Sequence, residues 1–307
     1  MPVPYMGSKR KSSQMIFQTI KNHNPDCNKI YDLFCGGFAI SEIFIKNDWD
    51  VISNDKNKYV VALINQTVNI GLDEKKCLEF VSREKFIDVT KNPDKYDNWY
   101  VGYVMCIWSF GNNQKGYLFG KDTEPIKLAG HKLVIDKDPS GVIGIIPKKY
   151  IDAILKLNCW HKRRIALLKA VKAIKNRTFE LQQLERLEQL ERLQQLERLQ
   201  QLERVVITEK SYNQIEINPN TIIYCDPPYQ GTAEYKEGSF NHKDFWDWVR
   251  EVAKTNKIYI SEYKAPADFE PILLFEQKST LQGGQQKHNN QPTEKLFIPI
   301  GQEVYKK

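Results

Sequence analysis

The sequence predicts an α/β fold in which a Rossmann-like sheet carries an inserted middle region and a leucine-rich hexapeptide-repeat insert. Short apolar segments of strand type alternate with helical patterns in the first third of the chain and again after residue 205. A Gly-Gly turn follows the first predicted strand, and a β-branched run precedes an acidic, proline-rich loop near residue 226. Strands that alternate with helices form parallel sheets, so these patterns together favour the predicted fold.

The first third of the chain has the order of a nucleotide-binding unit. Its predicted elements are a helix at about 12–21, a strand at 28–34, the turn CGGFA, a helix at about 40–47, a strand at 50–55 and a helix at 59–67. A strand, a glycine turn, a helix and a second strand that ends in an acid are typical of folds that bind nucleotides. We therefore assign residues 1–69 to one half of the main domain.

The sheet pattern resumes near the end of the chain. Strands are predicted in RVVITEKSY, in TIIYC and at 256–263, with a helix at about 242–254. Residues 205–307 are therefore predicted to form the second half of the main domain.

Residues 70–150 are predicted to form a separate region. From about residue 79 to 147 the pattern is irregular and rich in aromatic residues, Gly and Asn, which favours a smaller domain or a large insertion. A basic helical segment follows at 151–180, and its predicted apolar stripe consists of Ile165, Leu168, Val171 and Ile174. The basic face opposite that stripe either is solvated or follows a phosphate backbone.

Residues 181–204 are four leucine-rich hexapeptides, LQQLER, LEQLER, LQQLER and LQQLER. Their composition favours a helix. On a straight helix a three-residue period places each Leu about 60° behind the last, so the leucines wind around the helix. Stacked turns of a β-solenoid are the alternative, and a coiled coil is disfavoured because no heptad is present. We predict a helix and treat the repeat as a non-catalytic insert.

The composition indicates a folded, basic protein. Of the 307 residues 41% are hydrophobic and 11% aromatic, and the formal net charge is +7, which is compatible with a polyanionic partner. No apolar run is long enough to span a membrane, and the N-terminus does not resemble a signal peptide, so we expect a cytoplasmic protein. Six cysteines occur without a CxxC pair, which predicts neither a metal site nor disulfides.

The segment YCDPPYQ, residues 224–230, is the strongest candidate site. Two consecutive prolines restrict φ and lack backbone donors, so Pro227 and Pro228 predict a rigid loop. The preceding run TIIYC predicts a buried strand that places Asp226 at its carboxyl end, where ligands bind in open α/β sheets. A structural turn is the alternative interpretation of DPPY alone.

The glycine turn DLFCGGF is the second candidate site. Gly36 and Gly37 allow the backbone to approach a ligand closely at a helix start. Asp55 follows about twenty residues later, the sequence spacing at which nucleotide-binding folds place the acid that binds ribose hydroxyls. Asp32, ahead of the glycines, is placed to meet a cationic group of the ligand. The pattern GxGxxG is absent, which argues against a dinucleotide.

With DLFCGGF, SND and CDPPY in this order, the chain resembles the Dam-type DNA adenine-N6 methyltransferases of the alpha group, and its phage members in particular. PYMGSKRK is similar to their first cofactor motif, and SEYKAP and TEKLF resemble later sheet motifs. The resemblance covers about residues 4–65 and 205–297. It implies that 1–69 is the cofactor-binding half of a catalytic domain, 70–150 the target-recognition region and 205–307 the catalytic half.

The resemblance implies S-adenosylmethionine as methyl donor, double-stranded DNA as substrate and no metal; we further expect a monomer that does not bind membranes. The residues it implies for the cofactor are Tyr5, Lys9, Asp32, Phe34, Gly36, Gly37, Asp55 and Asp226. The residues it implies for catalysis are Asp226, Pro227, Pro228 and Tyr229.

The chemistry of an exocyclic amine agrees with these roles. Its lone pair is delocalised into the ring, and acceptors that hold its protons make it a better nucleophile; Asp226 and the Pro227 carbonyl are such acceptors. Tyr229 offers a ring face for a base flipped out of the duplex, a role that Phe would also fill. The loop SFGNNQKG, residues 109–116, carries amides and a lysine suited to base edges, although an ordinary polar loop is the alternative.

Other activities fit parts of the pattern. Cytosine N4 and a protein glutamine are also planar amines, but in the enzymes that methylate them the loop more often begins with Ser or Asn, so Asp226 favours adenine. A DNA-binding relative without catalysis is the alternative from another class, and it is disfavoured because the acid and both glycines are present.

Overall fold

A mixed β-sheet lies at the centre of the protein. The structure, a computed structural model, describes residues 3–175, 177–203, 205–230, 240–275 and 293–304. In this part of the chain the strands are Lys29–Asp32 (β1), Asp50–Asp55 (β2), Val206–Glu209 (β3), Ile222–Cys225 (β4), Lys257–Glu262 (β5), Phe269–Phe275 (β6) and Glu294–Pro299 (β7). The predicted strands of both halves of the chain are thereby confirmed, to within a few residues at their ends.

The strand order is β3-β2-β1-β4-β5-β7-β6. The first five strands in this order run parallel, and β7 lies antiparallel between β5 and β6. The chain moves outward from β1 through β2 and later returns to place β4 on the other side of β1. A crevice opens at such a switch point beyond the carboxyl ends of the strands, which is where open α/β sheets bind ligands.

Helices flank the sheet and form most of the middle of the chain. The described α-helices are Ser13–His23 (α1), Ala39–Ile45 (α2), Lys58–Asn65 (α3), Glu74–Leu78 (α4), Arg83–Lys91 (α5), Asn98–Ile107 (α6), Glu124–Ile135 (α7), Lys148–Leu155 (α8), Trp160–Ala173 (α9), Phe179–Leu184 (α10), Glu188–Glu197 (α11) and His242–Val252 (α12).

The two faces of the sheet are covered by different helices. Ile30 of β1 packs with side chains of α1 and α2, whereas the next residue, Tyr31, packs with side chains of α12. This alternation follows from the two-residue period of a strand. Both faces are therefore buried, as the apolar composition of β1 and β4 predicts for parallel strands.

The region from 79 to 147 is helical, so the prediction of an irregular pattern there is wrong. Four of its ten aromatic residues lie in α5 and α6, and α6 buries Tyr100 and Tyr103. Gly102 of α6 lies directly against the backbone of α3, and a side chain at this position would overlap the Tyr59 carbonyl group. Helices buried on several sides lack a polar face, so their sequences show no clear helical period.

One hydrophobic cluster joins the middle region to its neighbours in the chain. It includes Phe38 beside the glycine turn, Leu63 of α3, Val104 of α6 and Leu190 of α11. The predicted domain boundaries at 69, 150, 180 and 204 stay predictions. The positions 1–2, 204 and 305–307 of the predicted ranges lie outside the described residues.

The hexapeptide repeat forms helices, as predicted. It consists of α10, a turn and α11, followed by a short 3₁₀-helix at Arg198–Gln201. All eight leucines of the repeat are buried: Leu181, Leu184, Leu187, Leu190, Leu193, Leu196, Leu199 and Leu202. The turn between α10 and α11 begins a new helix before the leucines move away from the buried face. In the 3₁₀-helix, three residues make one turn, which matches the spacing of the leucines. The repeat therefore packs one face against the core over its whole described length.

The apolar stripe predicted for α9 is partly wrong. Ile165 is 43% exposed, and α9 instead buries Leu167 and Ala170. The basic residue Arg163 is also buried, and its guanidinium donates hydrogen bonds to the carbonyl groups of Leu157 and Asn158. Packing against several helices, rather than one apolar stripe, decides which face of α9 is inside.

Candidate active site

Three aspartates lie at one edge of the sheet. Asp32 ends β1, Asp55 ends β2, and Asp226 directly follows β4. Because these neighbouring strands are parallel, their carboxyl ends meet at the same edge. The three predicted acids, far apart in the sequence, are thereby brought to the switch point of the sheet.

A lysine and two carboxylates form a buried ionic network beside Asp226. Lys9 Nζ lies 2.6 Å from Asp226 Oδ2 and 3.2 Å from Glu294 Oε1. The side chains of Lys9 and Glu294 are 4% and 0% exposed, and that of Asp226 is 17% exposed. Among the described residues, the carboxylates of Asp226 and Glu294 share Lys9 as their cation, an arrangement that favours keeping a proton on one of them.

Tyr229 joins the same network through its hydroxyl group. Its oxygen lies 2.6 Å from Glu294 Oε1 and 3.0 Å from Asp226 Oδ1. The single phenolic proton can be donated to only one of these carboxylates at a time. The ring itself packs edge-on against Tyr263 and lies 4.9 Å from Lys9 Nζ. Tyr229 is therefore oriented by both its ring and its hydroxyl.

Burial raises the pKa of Asp226 to about 6, although the nearby Lys9 ammonium lowers it, and the Glu294 carboxylate raises it further. For Lys9, burial lowers the pKa, but the carboxylates of Asp226 and Glu294 outweigh burial and raise it above the ordinary value. Lys9 is consequently charged near neutral pH, whereas Asp226 exchanges its proton in a range close to neutrality.

A further carboxylate, Glu262, lies at the end of β5. It accepts hydrogen bonds from the backbone N–H groups of Gln230 and Tyr263 at 3.3 and 2.8 Å. Burial raises the pKa of Glu262 to about 7 in spite of these bonds. Glu262 therefore connects the loop after Asp226 to the next strand of the sheet.

The glycine turn is held by Asp55 and covered by Tyr5. Gly36 has φ of +43° and donates its N–H to Asp55 Oδ2 at 2.8 Å. A Cβ atom on Gly37 would lie 2.6 Å from the Val3 carbonyl oxygen and 2.7 Å from Tyr5 Cβ. Both glycines are therefore required by the fold as well as by the predicted ligand.

Asp32 is positioned by Ser41. Its Oδ2 accepts hydrogen bonds from the Ser41 hydroxyl at 2.7 Å and the Ser41 N–H at 3.1 Å. Its Oδ1 is buried and has no hydrogen-bond partner among the described residues. Burial raises the pKa of Asp32 to about 7, against the effect of Ser41, and Asp226 and Asp55 add to the rise. A buried carboxylate oxygen with a vacant lone pair is suited to a cationic ligand group.

Phe34 lies away from this network. Its ring packs against Tyr212, Phe240 and Phe245 with centroid distances of 5.5, 5.9 and 5.9 Å. The cluster covers one face of the sheet next to α12. A role of Phe34 in binding a cofactor stays a prediction.

The loop 109–116 is a compact turn at the end of α6. The Asn113 side chain accepts hydrogen bonds from Lys115 and Gly116 N–H groups, and Gln114 accepts one from the Asn57 amide. Phe110 is 59% exposed. Several of the amides that suited base edges in the sequence therefore stabilise the loop itself, while Lys115 is exposed.

A family model for D12 class N6 adenine-specific DNA methyltransferase matches residues 5–256. The match covers most of the chain and includes the glycine turn, Asp55 and the DPPY loop. The chain belongs to this family. It is therefore an enzyme that methylates N6 of adenine in DNA, and membership implies S-adenosylmethionine as methyl donor.

The described part of this methyltransferase contains no group of three or more His, Cys, Asp or Glu side chains arranged to hold a metal ion. No helix in the described residues is long and apolar enough to cross a membrane.

Sequence analysis missed two glutamates of the D12 methyltransferase site. Glu294 and Glu262 lie in TEKLF and SEYKAP, segments noted only as resembling sheet motifs. Each is almost fully buried, at 0% and 2% exposure. A glutamate inside an apolar strand pattern is the signal that could have identified them, because carboxylates are rarely buried without a partner.

Proposed function

We propose that this methyltransferase acts on an adenine flipped out of double-stranded DNA, with Asp226 as the residue that receives the amine's proton. The observation that carries the proposal is the network of Lys9, Asp226, Tyr229 and Glu294 at the switch point of the sheet. A base inside a duplex cannot reach a site at a sheet edge, so the target nucleotide must leave the stack.

The residues proposed to hold S-adenosylmethionine are Asp32, Asp55 and the Gly36–Gly37 turn. The vacant Oδ1 of Asp32 suits an ammonium group, and each Asp55 oxygen, although bonded to a backbone N–H, keeps a second lone pair for a hydroxyl group. The chain's features therefore fit the cofactor, which supplies a methyl group on a positively charged sulfur. Tyr5 covers the glycine turn and is proposed to border the same site.

Asp226 and the Pro227 carbonyl are proposed to accept hydrogen bonds from the two N6 protons of adenine. Holding these protons directs the nitrogen lone pair toward the methyl group. As the N–CH₃ bond forms and the S–CH₃ bond breaks, the nitrogen becomes cationic and releases one proton to the Asp226 carboxylate. The restricted φ angles of Pro227 and Pro228 keep the carbonyl in place.

Tyr229 is proposed to stack on the flipped base while its hydroxyl keeps Asp226 and Glu294 in position. Lys9 balances part of their charge. Positioning and electrostatic stabilisation of this kind account for much of the rate enhancement of transfer reactions.

The proposal is tested by incubating the protein with unmethylated duplex DNA and tritiated S-adenosylmethionine, followed by digestion to nucleosides. We expect label in N6-methyldeoxyadenosine. Label in N4-methylcytosine, or in protein instead of DNA, would contradict the proposed acceptor. A duplex with 2-aminopurine at the target adenine reports flipping separately, because its fluorescence rises when it leaves the stack.

The rate of methyl transfer should fall in acid. Because Asp226 accepts a proton only as a carboxylate and its pKa is raised to about 6, kcat/KM should be constant above about pH 7 and fall about tenfold per pH unit below pH 6. A pH series of initial rates at low DNA concentration measures this. Burial also raises the pKa values of Asp32 and Glu262 to about 7. The Glu262→Gln variant should still lose kcat/KM in acid. If kcat/KM of this variant no longer fell in acid, the loss in the wild type would be caused by Glu262.

Replacing Tyr229 should separate its ring from its hydroxyl. Tyr229→Phe keeps the stacking face but removes the contact with the fully buried Glu294, so we expect about a tenfold loss in kcat. Tyr229→Ala loses both, and we expect about a hundredfold loss with a raised KM for DNA. Steady-state kinetics of both variants measure the split. Equal losses would contradict a role for the ring.

A further inference from the structure

A cavity lies between the N-terminal segment and the hexapeptide repeat. It has a volume of about 250 Å³ and is bordered on one side by Val3, Pro4, Tyr5, Ser8 and Arg10. The opposite side is formed by Asn112 of the loop 109–116 and by Arg186, Glu188, Glu191, Arg192 and Gln195 of the repeat. Its size is sufficient for a phosphate group with part of a nucleotide.

Of the residues proposed to form the cofactor site, this cavity shares Tyr5. Its lining contains none of the residues Asp32, Gly36, Asp55 and Asp226. Tyr5 stands between the two sites, because it lies against Gly36 and Gly37 and also borders the cavity. The cavity therefore adjoins the active site without being part of it.

The charge around the cavity is positive. Three arginines line it, and each of its two glutamates is already paired with a cation outside the lining: Glu188 with Lys127 at 2.9 Å and Glu191 with Arg164 at 3.1 Å. Among the lining residues the positive charges outnumber the negative ones by one. Such an excess attracts an anion.

Arg192 is fixed in this environment. Its guanidinium donates hydrogen bonds of 2.7 Å to the carbonyl groups of Ile107 and Ser109, which attach the repeat to the start of the loop 109–116. Burial lowers the pKa of Arg192 more than the nearby Glu188 carboxylate raises it. The guanidinium thus keeps its positive charge at the wall of the cavity, held by neutral carbonyl groups.

Two polar atoms in the lining lack partners. The Ser8 hydroxyl oxygen and the Asn112 side-chain oxygen are buried, and neither has a hydrogen-bond partner among the described residues. A hydroxyl group can donate a hydrogen bond to a phosphate oxygen, whereas an amide oxygen only accepts, so Ser8 is the one of the two that suits a phosphate. The cavity thus offers both charge and hydrogen bonds to a ligand.

We propose that this cavity binds a backbone phosphate of the DNA next to the methylated adenine, with Arg186 as the exposed cation that reaches it. The inference rests on the proposed function, in which DNA lies at the adjoining active site. It assigns the hexapeptide repeat a place in the DNA-binding surface, in contrast to a passive insert.

The repeat provides a matched control within its own sequence. Arg186 and Arg198 end two identical hexapeptides, LQQLER, and both side chains are exposed. Only Arg186 borders the cavity; Arg198 does not. A difference between Arg186→Ala and Arg198→Ala therefore depends on position in the fold and not on net charge.

The test measures the affinity of the full chain for a labelled duplex across a series of NaCl concentrations. Arg186→Ala should weaken binding about three- to tenfold and lower the slope of log K against log[NaCl] by about one, while Arg198→Ala leaves both unchanged. Arg186→Glu should weaken binding further. Equal effects of the two alanine variants would overturn the inference.

Calorimetric titration with S-adenosylmethionine separates a DNA phosphate from the carboxylate of the cofactor as the anion bound. The inference requires that Arg186→Ala leaves this affinity unchanged. A loss of cofactor affinity with an unchanged salt slope would overturn it. If Arg186→Ala weakens DNA binding as expected but the wild-type protein labels no adenine, the phosphate site stands and the proposed function fails.

Discussion

Asp226→Ala is expected to lower the rate of methyl transfer by about a thousandfold or more, because it removes both a hydrogen-bond acceptor and the proton acceptor. Asp226→Asn keeps an acceptor oxygen but not the charge, so its rate should lie between those of Asp226→Ala and the wild type. Single-turnover rates with the tritium label measure both. This order is the one expected if Asp226 accepts both a hydrogen bond and a proton from the amine.

Binding controls distinguish this role from loss of structure. Duplex affinity of Asp226→Ala, measured by anisotropy, should stay within about threefold of the wild-type value, since the phosphate contacts of the protein are unchanged. Full activity in Asp226→Ala would disprove the proposed mechanism. A large loss of DNA affinity together with activity would show that Asp226 supports the fold of the loop instead.

Lys9→Met is expected to be the most destabilising change in the site. It leaves the buried carboxylates of Asp226 and Glu294 close together without their cation, at a cost of about 3–5 kcal/mol in the free energy of unfolding. It should also move the acid limb of the rate profile to higher pH, since Lys9 lowers the pKa of Asp226. Urea unfolding at pH 7 and the pH series measure the two effects.

The neighbouring Lys11→Met is the control for Lys9, because Lys11 lies in the same basic sequence but is exposed. It should change stability by less than about 0.5 kcal/mol. The double variant Lys9→Met/Glu294→Gln removes one positive and one negative charge, and it should recover part of the lost stability. Absence of any recovery would mean that Lys9 does not stabilise Glu294.

The elements of the sheet were predictable because their signals are local. DVISND was predicted as a strand at 50–55 and forms β2 over Asp50–Asp55, and TIIYC contains β4. The glycine turn and the DPPY loop carry side-chain and backbone constraints that act within a few residues. Short-range patterns of this kind do not depend on where the rest of the chain lies.

The helical middle region was not predictable in the same way. α6 buries residues on several sides, with Gly102 against α3, so its sequence shows no clear division between apolar and polar faces. A helical period becomes visible only when one side meets water. For the repeat, the helical composition was visible, but the turn before α11 that keeps its leucines buried was not.

The sequence by itself determined the α/β class, the order of the first five strands, the family resemblance and the positions of Asp32, Asp55 and Asp226 at strand ends. Only the tertiary structure joined Lys9, Asp226, Tyr229 and Glu294 into one network, because these contacts connect the two ends of the chain. The tertiary structure also places Arg186, but not Arg198, at the cavity, although local sequence cannot distinguish them. Identical hexapeptides have identical local propensities, and only the surroundings that folding provides give them different roles.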